Sequence, residues 1–279
     1  MIPPIANNFV AGEDVDTALA HARRFDEQGV GTILNLLGEH YDDPADAEQE
    51  AAAYAALIRA LADADLSVAG CISVKPSQLG LDISEAVFRE QLGTVVEAAR
   101  AHDIFVWMDM EDHTTVDATL DAFEAHVTTY PRMGLCVQAN LKRTREDLRR
   151  LVDLPGRIRL VKGAYDPPPE LAYREKARVN RAYHDHLAYL FTHADHVAVG
   201  SHDPEMIERA KTLHAEHGTP FEVQMLMGVR ESAQFDLAAA GYDVYQYAPY
   251  GTKWLSYFYR RVRERKANAL FALRAIVSG

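Results

Sequence analysis

Toward the C-terminal end, Tyr257, Arg260, Arg261 and Glu264 fall at i, i+3, i+4 and i+7, which places four polar side chains on one helical face. Trp254, Leu255, Phe258 and Val262 supply the apolar side of the same helix. Two adjacent arginines beside a glutamate suit a small carboxylate, because guanidinium forks pair with carboxylates bidentately. The same spacing also describes a solvated helix face, so what the helix packs over decides between the two. A second set of polar residues stands where apolar runs end: Lys75; Asp109, Met110, Glu111 and Asp112; Gln138 and Asn140; Arg159, Lys162 and Gly163; Ser201, His202 and Asp203; Glu222 and Gln224; and Tyr247. If these ends meet, Lys75, Arg159, Lys162, Arg260 and Arg261 form a cationic cluster suited to a substrate carboxylate and a cofactor pyrophosphate. Gln138 and Gln224 sit inside apolar runs, and a flat heteroaromatic ligand rimmed with donors and acceptors would satisfy such buried amides.

The same residues also have structural and chemical alternatives. Lys75 and Lys162 could snorkel at strand termini. Asp112 or His113, and separately Asp203 before Pro204, stand where helix caps belong. His113, His202, Asp109, Glu111 and Asp203 could be ligands of a rim metal. Neighbouring cations disfavour a divalent ion, and the first strand ends in Leu36, Leu37 and Gly38 without an HxH. Lys75 or Lys162 could serve a Schiff-base aldolase, since nearby cations depress a lysine pKa.

The elements that must position these residues alternate along the chain. Apolar runs rich in β-branched residues lie at Gly31–Leu37, Leu66–Val74, Ile104–Met110, Met133–Ala139, Arg157–Gly163, His196–Ser201, Pro220–Leu226 and Tyr242–Tyr247. Helical patterns follow at Ala45–Asp63, Ser84–His102, Thr114–Val127, Arg145–Leu151, Pro169–Phe191, Pro204–His217, Arg230–Ala240 and Lys253–Arg265, with one more in front at Val15–Glu27. Strands this uniformly apolar fit a parallel sheet buried on both faces. Eight such units favour a closed (β/α)8 barrel, whose chemistry sits at the C-terminal ends of the strands. No GxGxxG follows the first strand, which weakens a dinucleotide-binding open sheet.

A chain of 279 residues with 48% apolar content accommodates one barrel domain, expected over residues 1–279. The 41 acidic residues outnumber the 29 basic ones for a formal charge of −12, which argues against nucleic acid or anionic lipid as a purely electrostatic partner. Cys71 and Cys136, both inside apolar runs, give neither a disulfide framework nor a zinc spacing, and a reducing cytoplasm fits them. The stretch MIPPIANNFVAGED has no basic region leading into an apolar one, so no signal peptide is expected, and no run of ~18 apolar residues is present.

Six segments taken in order carry a family resemblance: ISVKPSQLGL (72–81), VWMDMEDHTTVDATL (106–120), VQANLKRTREDL (137–148), RLVKGAY (159–165), FEVQMLMGVR (221–230) and YAPYGTKWLSYFYRRVRE (247–264). Together they resemble proline dehydrogenase from about Phe9 to Asn268, and RLVKGAY with the tyrosine-to-paired-arginine segment is the most specific part. The resemblance implies a distorted (β/α)8 TIM-type barrel whose eighth helix lies over the barrel mouth. It implies FAD-dependent oxidation of L-proline to Δ1-pyrroline-5-carboxylate, on the way to glutamate, with electrons passed to a quinone. By motif position, Arg260 and Arg261 would hold the proline carboxylate with help from Lys75, and Glu264 would position the ligand or Arg261. Tyr247 and Leu226 would wall the proline ring, and Arg159 would donate toward flavin N5. Val161, Lys162 and Gly163 would contact the cofactor, and Met110, Gln138, Ser201, His202 and Gln224 would line it, with Asp109 the active-site carboxylate behind. The expected location is the cytoplasm, with peripheral membrane contact as a route to quinone; self-association and 4-hydroxyproline as an alternative substrate stay open. The chain departs from the family pattern at Asn140, where an aromatic is frequent, at Met227 for tyrosine, at Ser201 for threonine, and at Asp166 with the three prolines after it.

Overall fold

Eight parallel strands close into a barrel in sequence order: β1 (Gly31–Leu36), β2 (Cys71–Val74), β3 (Phe105–Met108), β4 (Met133–Gln138), β5 (Arg157–Val161), β6 (Val197–Gly200), β7 (Phe221–Leu226) and β8 (Asp243–Tyr250). The structure is a computed structural model and describes residues 8–254. Closure is made by six register pairs between β1 and β8, from Gly31↔Tyr245 to Leu36↔Tyr250. The described helices are α1 (Val15–Asp26), α2 (Pro44–Ala62), α3 (Glu85–His102), α4 (Val116–Val127), α5 (Thr144–Leu151), α6 (Lys176–His193), α7 (Pro204–His217) and α8 (Glu231–Ala239). α1 precedes the barrel as the extra N-terminal helix, and α2 to α8 follow the first seven strands. Starts are set locally. The Ser84 side chain accepts from Val87 N at α3, and Asp203 accepts from Glu205 N at α7, where Pro204 takes the first position without wasting a donor.

The core has two compartments. Outward side chains of the strands pack against the helices in one large cluster, which includes Leu34, Leu57, Val95, Leu120, Leu187 and Val223. A smaller cluster of Ile33, Cys71, Phe105, Trp107 and Ala198, with Tyr245 and Tyr247 against it, fills the barrel interior. Burial on both faces is why β2, β3 and β4 are buried at every residue.

Three boundaries differ from the sequence expectation by three residues or more, each for a local reason. β2 starts at Cys71 and not Leu66, because the Ser67 and Val68 N–H groups donate to the Asp26 carboxylate (2.9 and 2.6 Å) instead of joining a strand ladder. α6 starts at Lys176 and not Pro169. Pro167, Pro168 and Pro169 lack N–H groups, and the chain after them docks on the end of β4 through Lys142 N to Leu171 O (2.9 Å) and Tyr173 N to Asn140 O (2.8 Å). β8 runs on to Tyr250, since Leu37 N donates to Tyr250 O at 2.7 Å. The helix expected from Lys253 lies outside the described residues beyond Trp254, and so does its placement over the mouth. Among the described residues no helix is long and apolar enough to cross a membrane.

Candidate active site

The C-terminal rim converges on one carboxylate. β3 ends at Met108, and Asp109 N donates to Val74 O (2.9 Å), which keeps the chain beside β2 and holds the Asp109 side chain at the mouth. That carboxylate accepts from Ser73 Oγ on β2 (2.9 Å) and from the Tyr247 hydroxyl on β8 (2.7 Å), and it pairs with Arg159 Nη2 from β5. Arg159, only 4% exposed, also donates through Nη1 to Gln224 Oε1 on β7 (3.0 Å). Its guanidinium lies over the Trp107 ring, 5.0 Å from the centroid, and near the Tyr247 ring at 5.8 Å. Burial opposes the charge on Arg159, but Cys136, Asp109 and Tyr247 together outweigh it and hold the guanidinium above its ordinary value. Burial, then the charge of Asp109, pushes the Tyr247 hydroxyl well up. At neutral pH the site therefore presents a fixed cation and a fixed neutral phenol.

The other cations do not form an unpaired cluster. Lys75 Nζ pairs with Glu39 (3.2 Å) and donates to Gly38 O (3.4 Å). Lys162 Nζ pairs with Asp203 (2.7 Å) and donates to Asn180 Oδ1 (2.8 Å). Lys75, Arg159 and Lys162 thus each have an acidic neighbour. Asp203 serves both as the cap of α7 and as the partner of Lys162. Asp112 caps the short 3-10 turn His113–Thr115 through Thr114 N (3.0 Å). Buried Glu111 accepts from Ser77 N and Oγ (2.7 and 2.8 Å), and its own carbonyl accepts from Gln138 Nε2 (2.8 Å), so that strand amide is satisfied inside the wall. Burial raises the Glu111 carboxyl despite the Ser77 bonds.

The remaining expected residues occupy the same rim. Val161 ends β5 opposite Gln138, and Leu226 ends β7 opposite Tyr247. Met110 is buried within the large hydrophobic cluster, while Ser201 Oγ accepts from Asp203 N (3.1 Å). His202 is held by its main-chain oxygen, which accepts from Arg230 Nη1 at 2.5 Å. Arg260, Arg261 and Glu264 lie outside the described residues. Ser73, Trp107 and Glu39 take part in the site without having been read from the sequence. The two-residue strand period could have found Ser73 and Trp107, which share the inward side with Cys71 and Asp109 respectively.

Beside the end of β5 opens a cavity of about 250 Å³ lined by Asn140, Lys162, Gly163, Tyr165, Tyr173 and Arg174 among others. Gly163 has φ +109°, and a Cβ there would overlap the Asn140 side-chain amide, so only glycine keeps this opening. Asn140 Oδ1 is buried with no hydrogen-bond partner among the described residues, which leaves it able to accept from a donor on a ligand's edge. Among the described residues no three His, Cys, Asp or Glu side chains converge as a metal set. Lys75 Nζ and Lys162 Nζ are each engaged by a carboxylate and a second acceptor, an arrangement that ties both amines to the protein and presents neither as a Schiff-base nucleophile.

Residues 18–274 match the family described as "Proline dehydrogenase". The chain is 35% identical over 275 residues to Proline dehydrogenase 1 of Bacillus subtilis (strain 168), covering 98% of this chain and 90% of the relative. It is likewise 35% identical over 285 residues to Proline dehydrogenase of Deinococcus radiodurans, covering 99% and 91%. Among solved structures, proline utilization A from Bdellovibrio bacteriovorus, inactivated by N-propargylglycine, superposes with a TM-score of 0.83 at 24% identity. That match covers 92% of this chain and 32% of the larger one, and it speaks to the barrel fold.

Proposed function

The chain belongs to the proline dehydrogenase family, and from that premise we propose that it oxidises L-proline to Δ1-pyrroline-5-carboxylate with bound FAD and passes the electrons to a quinone. The observation that carries the reading is the convergence of Arg159, Tyr247 and Gln224 around Asp109 at the barrel mouth. The residues fit a flavin. Arg159 and Lys162 offer donors along the rim, and the opening kept by Gly163 presents the Asn140 acceptor beside them. When bound, the flavin supplies the acceptor for the hydride that leaves C5 of proline.

The protein's part is positioning. Arg260 and Arg261, with Lys75, would clamp the carboxylate and so select an amino acid. Tyr247, tethered through its hydroxyl to Asp109, and Leu226, its register partner, would form a rigid wall against the pyrrolidine ring. Arg159, kept cationic by Asp109, would favour negative charge on the reduced cofactor. Val161, Met110, Gln138, Ser201 and His202 would complete the cofactor wall. A bulky ring at Tyr247 would crowd a C4 hydroxyl, which favours proline over 4-hydroxyproline.

The test is the visible spectrum of the purified protein reconstituted with FAD. Flavin absorbance near ~450 nm should appear and should bleach on adding L-proline, with kcat/KM higher for proline than for 4-hydroxyproline. Protein that stays colourless with FAD, or whose colour proline leaves untouched while a dye acceptor goes unreduced, would contradict the proposal.

A further inference from the structure

Below the mouth the polar chain continues toward the floor of the barrel. Gln224 accepts from Arg159 with Oε1 and donates with Nε2 to Glu222 Oε1 at 2.5 Å. Glu222 Oε2 in turn accepts from Arg157 Nη1 (2.7 Å) and pairs with His196 Nε2 (3.1 Å). A carboxylate only accepts, so His196 must carry its proton on Nε2 and Gln224 must turn its NH2 toward Glu222. Glu222 is 2% exposed and Gln224 4%, whereas the side chains of His196 and Arg157 are 17% and 37% exposed. Burial pushes the Glu222 carboxyl up, but His196 and Arg157 outweigh it and hold the group below its ordinary range, so it is charged at neutral pH. The strand between makes the crossing possible. Ala198 on β6 is register partner to Arg159 on one side and to Glu222 on the other, and Gly200 pairs with Gln224. These small residues leave open the space that Arg159 and Gln224 span.

We propose that Glu222 is a positioning residue for the cofactor site, acting through the Gln224 amide to aim Arg159 at the mouth. Arg159 and Glu222 impose the same orientation on Gln224 from opposite sides, one offering only donors and the other only acceptors. Arg159 Nη1 is thereby fixed to β7 while Nη2 is fixed to Asp109, and the guanidinium plane cannot rotate. Arg157, over the Phe105 ring at 4.9 Å, and His196 seat Glu222 from below. Glu222 reaches Arg159 through Gln224, so its role is separable from direct cofactor contact.

The inference rests on the FAD reading, and the experiment separates the two. Apoprotein is titrated with FAD by flavin fluorescence for wild type, Glu222→Gln, Gln224→Met and the double variant. Glu222→Gln should weaken FAD binding by about tenfold in the wild-type background and by less than about twofold once Gln224→Met has cut the link. Apoprotein melting temperature should fall for Glu222→Gln in both backgrounds, since it reports packing and not aim. FAD affinity within about twofold of wild type, or an equal loss in both backgrounds, would overturn the positioning role. If Glu222→Gln does not fold, His196→Leu carries the same cycle, because it loosens Glu222 from nearer the surface. A roughly threefold loss that vanishes with Gln224→Met is then expected, and an unchanged affinity would overturn the proposal. Wild-type protein that takes up no FAD would instead defeat the functional reading, and this inference with it.

Discussion

Asp109 ties β2, β5 and β8 together at the mouth, since Ser73, Arg159 and Tyr247 all donate to its carboxylate. Replacing it with alanine leaves a guanidinium that is 4% exposed without its counter-charge. Asp109→Ala should therefore lower the unfolding free energy of the apoprotein by about 3–5 kcal/mol, measured by urea titration. A loss under about 1 kcal/mol would mean that the mouth is wet enough to solvate Arg159 by itself. The paired arginines give a kinetic counterpart. Arg260→Met or Arg261→Met should raise the KM for proline by the equivalent of ~2–4 kcal/mol with little change in kcat, and unaltered proline affinity would remove them from the carboxylate clamp. Asp109, Arg159, Gln224 and Tyr247 were legible as polar residues ending apolar runs. Their mutual bonds were not, because they join strands 50 to 138 positions apart. The pairing of Lys75 with Glu39 was likewise hidden, since that glutamate lies in a loop whose path no periodicity reports.

At the scale of elements, strand order and the closed ring followed from eight repeats of one pattern. The misplaced boundaries arose where side chains captured backbone donors, as Asp26 does at Ser67 and Val68, or where prolines removed them. A buried link between elements also escaped the pattern. On α2, Glu50 accepts from the Tyr41 hydroxyl (2.9 Å) and from Gln78 Nε2 (2.6 Å), while Lys253, just past β8, donates to the same Tyr41 oxygen (2.9 Å). Burial, only partly offset by these neighbours, pushes the Glu50 carboxyl up to about 7. An acid whose pKa is raised on folding binds a proton more tightly in the folded state. Its contribution is thus most favourable below the unfolded value near ~4.5 and is lost as pH rises toward the folded value. Relative to Glu50→Gln, the wild type should lose about 2–3 kcal/mol of unfolding free energy between pH 5 and pH 8. Parallel pH profiles for the two proteins would show that Glu50 stays charged, with Lys253 as its effective counter-ion.

For the molecule as a whole, the barrel interior sets how far the rim can be altered. Aromatic side chains fill it only because facing strands carry glycine. A Cβ on Gly31 would overlap Tyr245, and one on Gly134 would overlap the six-membered ring of Trp107. Gly134 pairs with Trp107 on one side and Arg157 on the other, two residues below the Cys136↔Arg159 pair. A shift of Trp107 to admit a methyl group would carry into the guanidinium stacked over it. Closure of the ring, with β1 bonded to β8, removes the free edge through which an open sheet would relax. Gly134→Ala is therefore expected to cost about 1–3 kcal/mol in stability. Trp107→Phe should also destabilise, by the loss of ring area and of the stacked cation. The double variant should be more stable than the sum of the two losses predicts, by roughly 0.5–3 kcal/mol, because the smaller ring vacates the space the new methyl needs. Strictly additive losses in urea unfolding would mean that the strands move apart to admit the methyl, and that the closed barrel is softer than its packing implies.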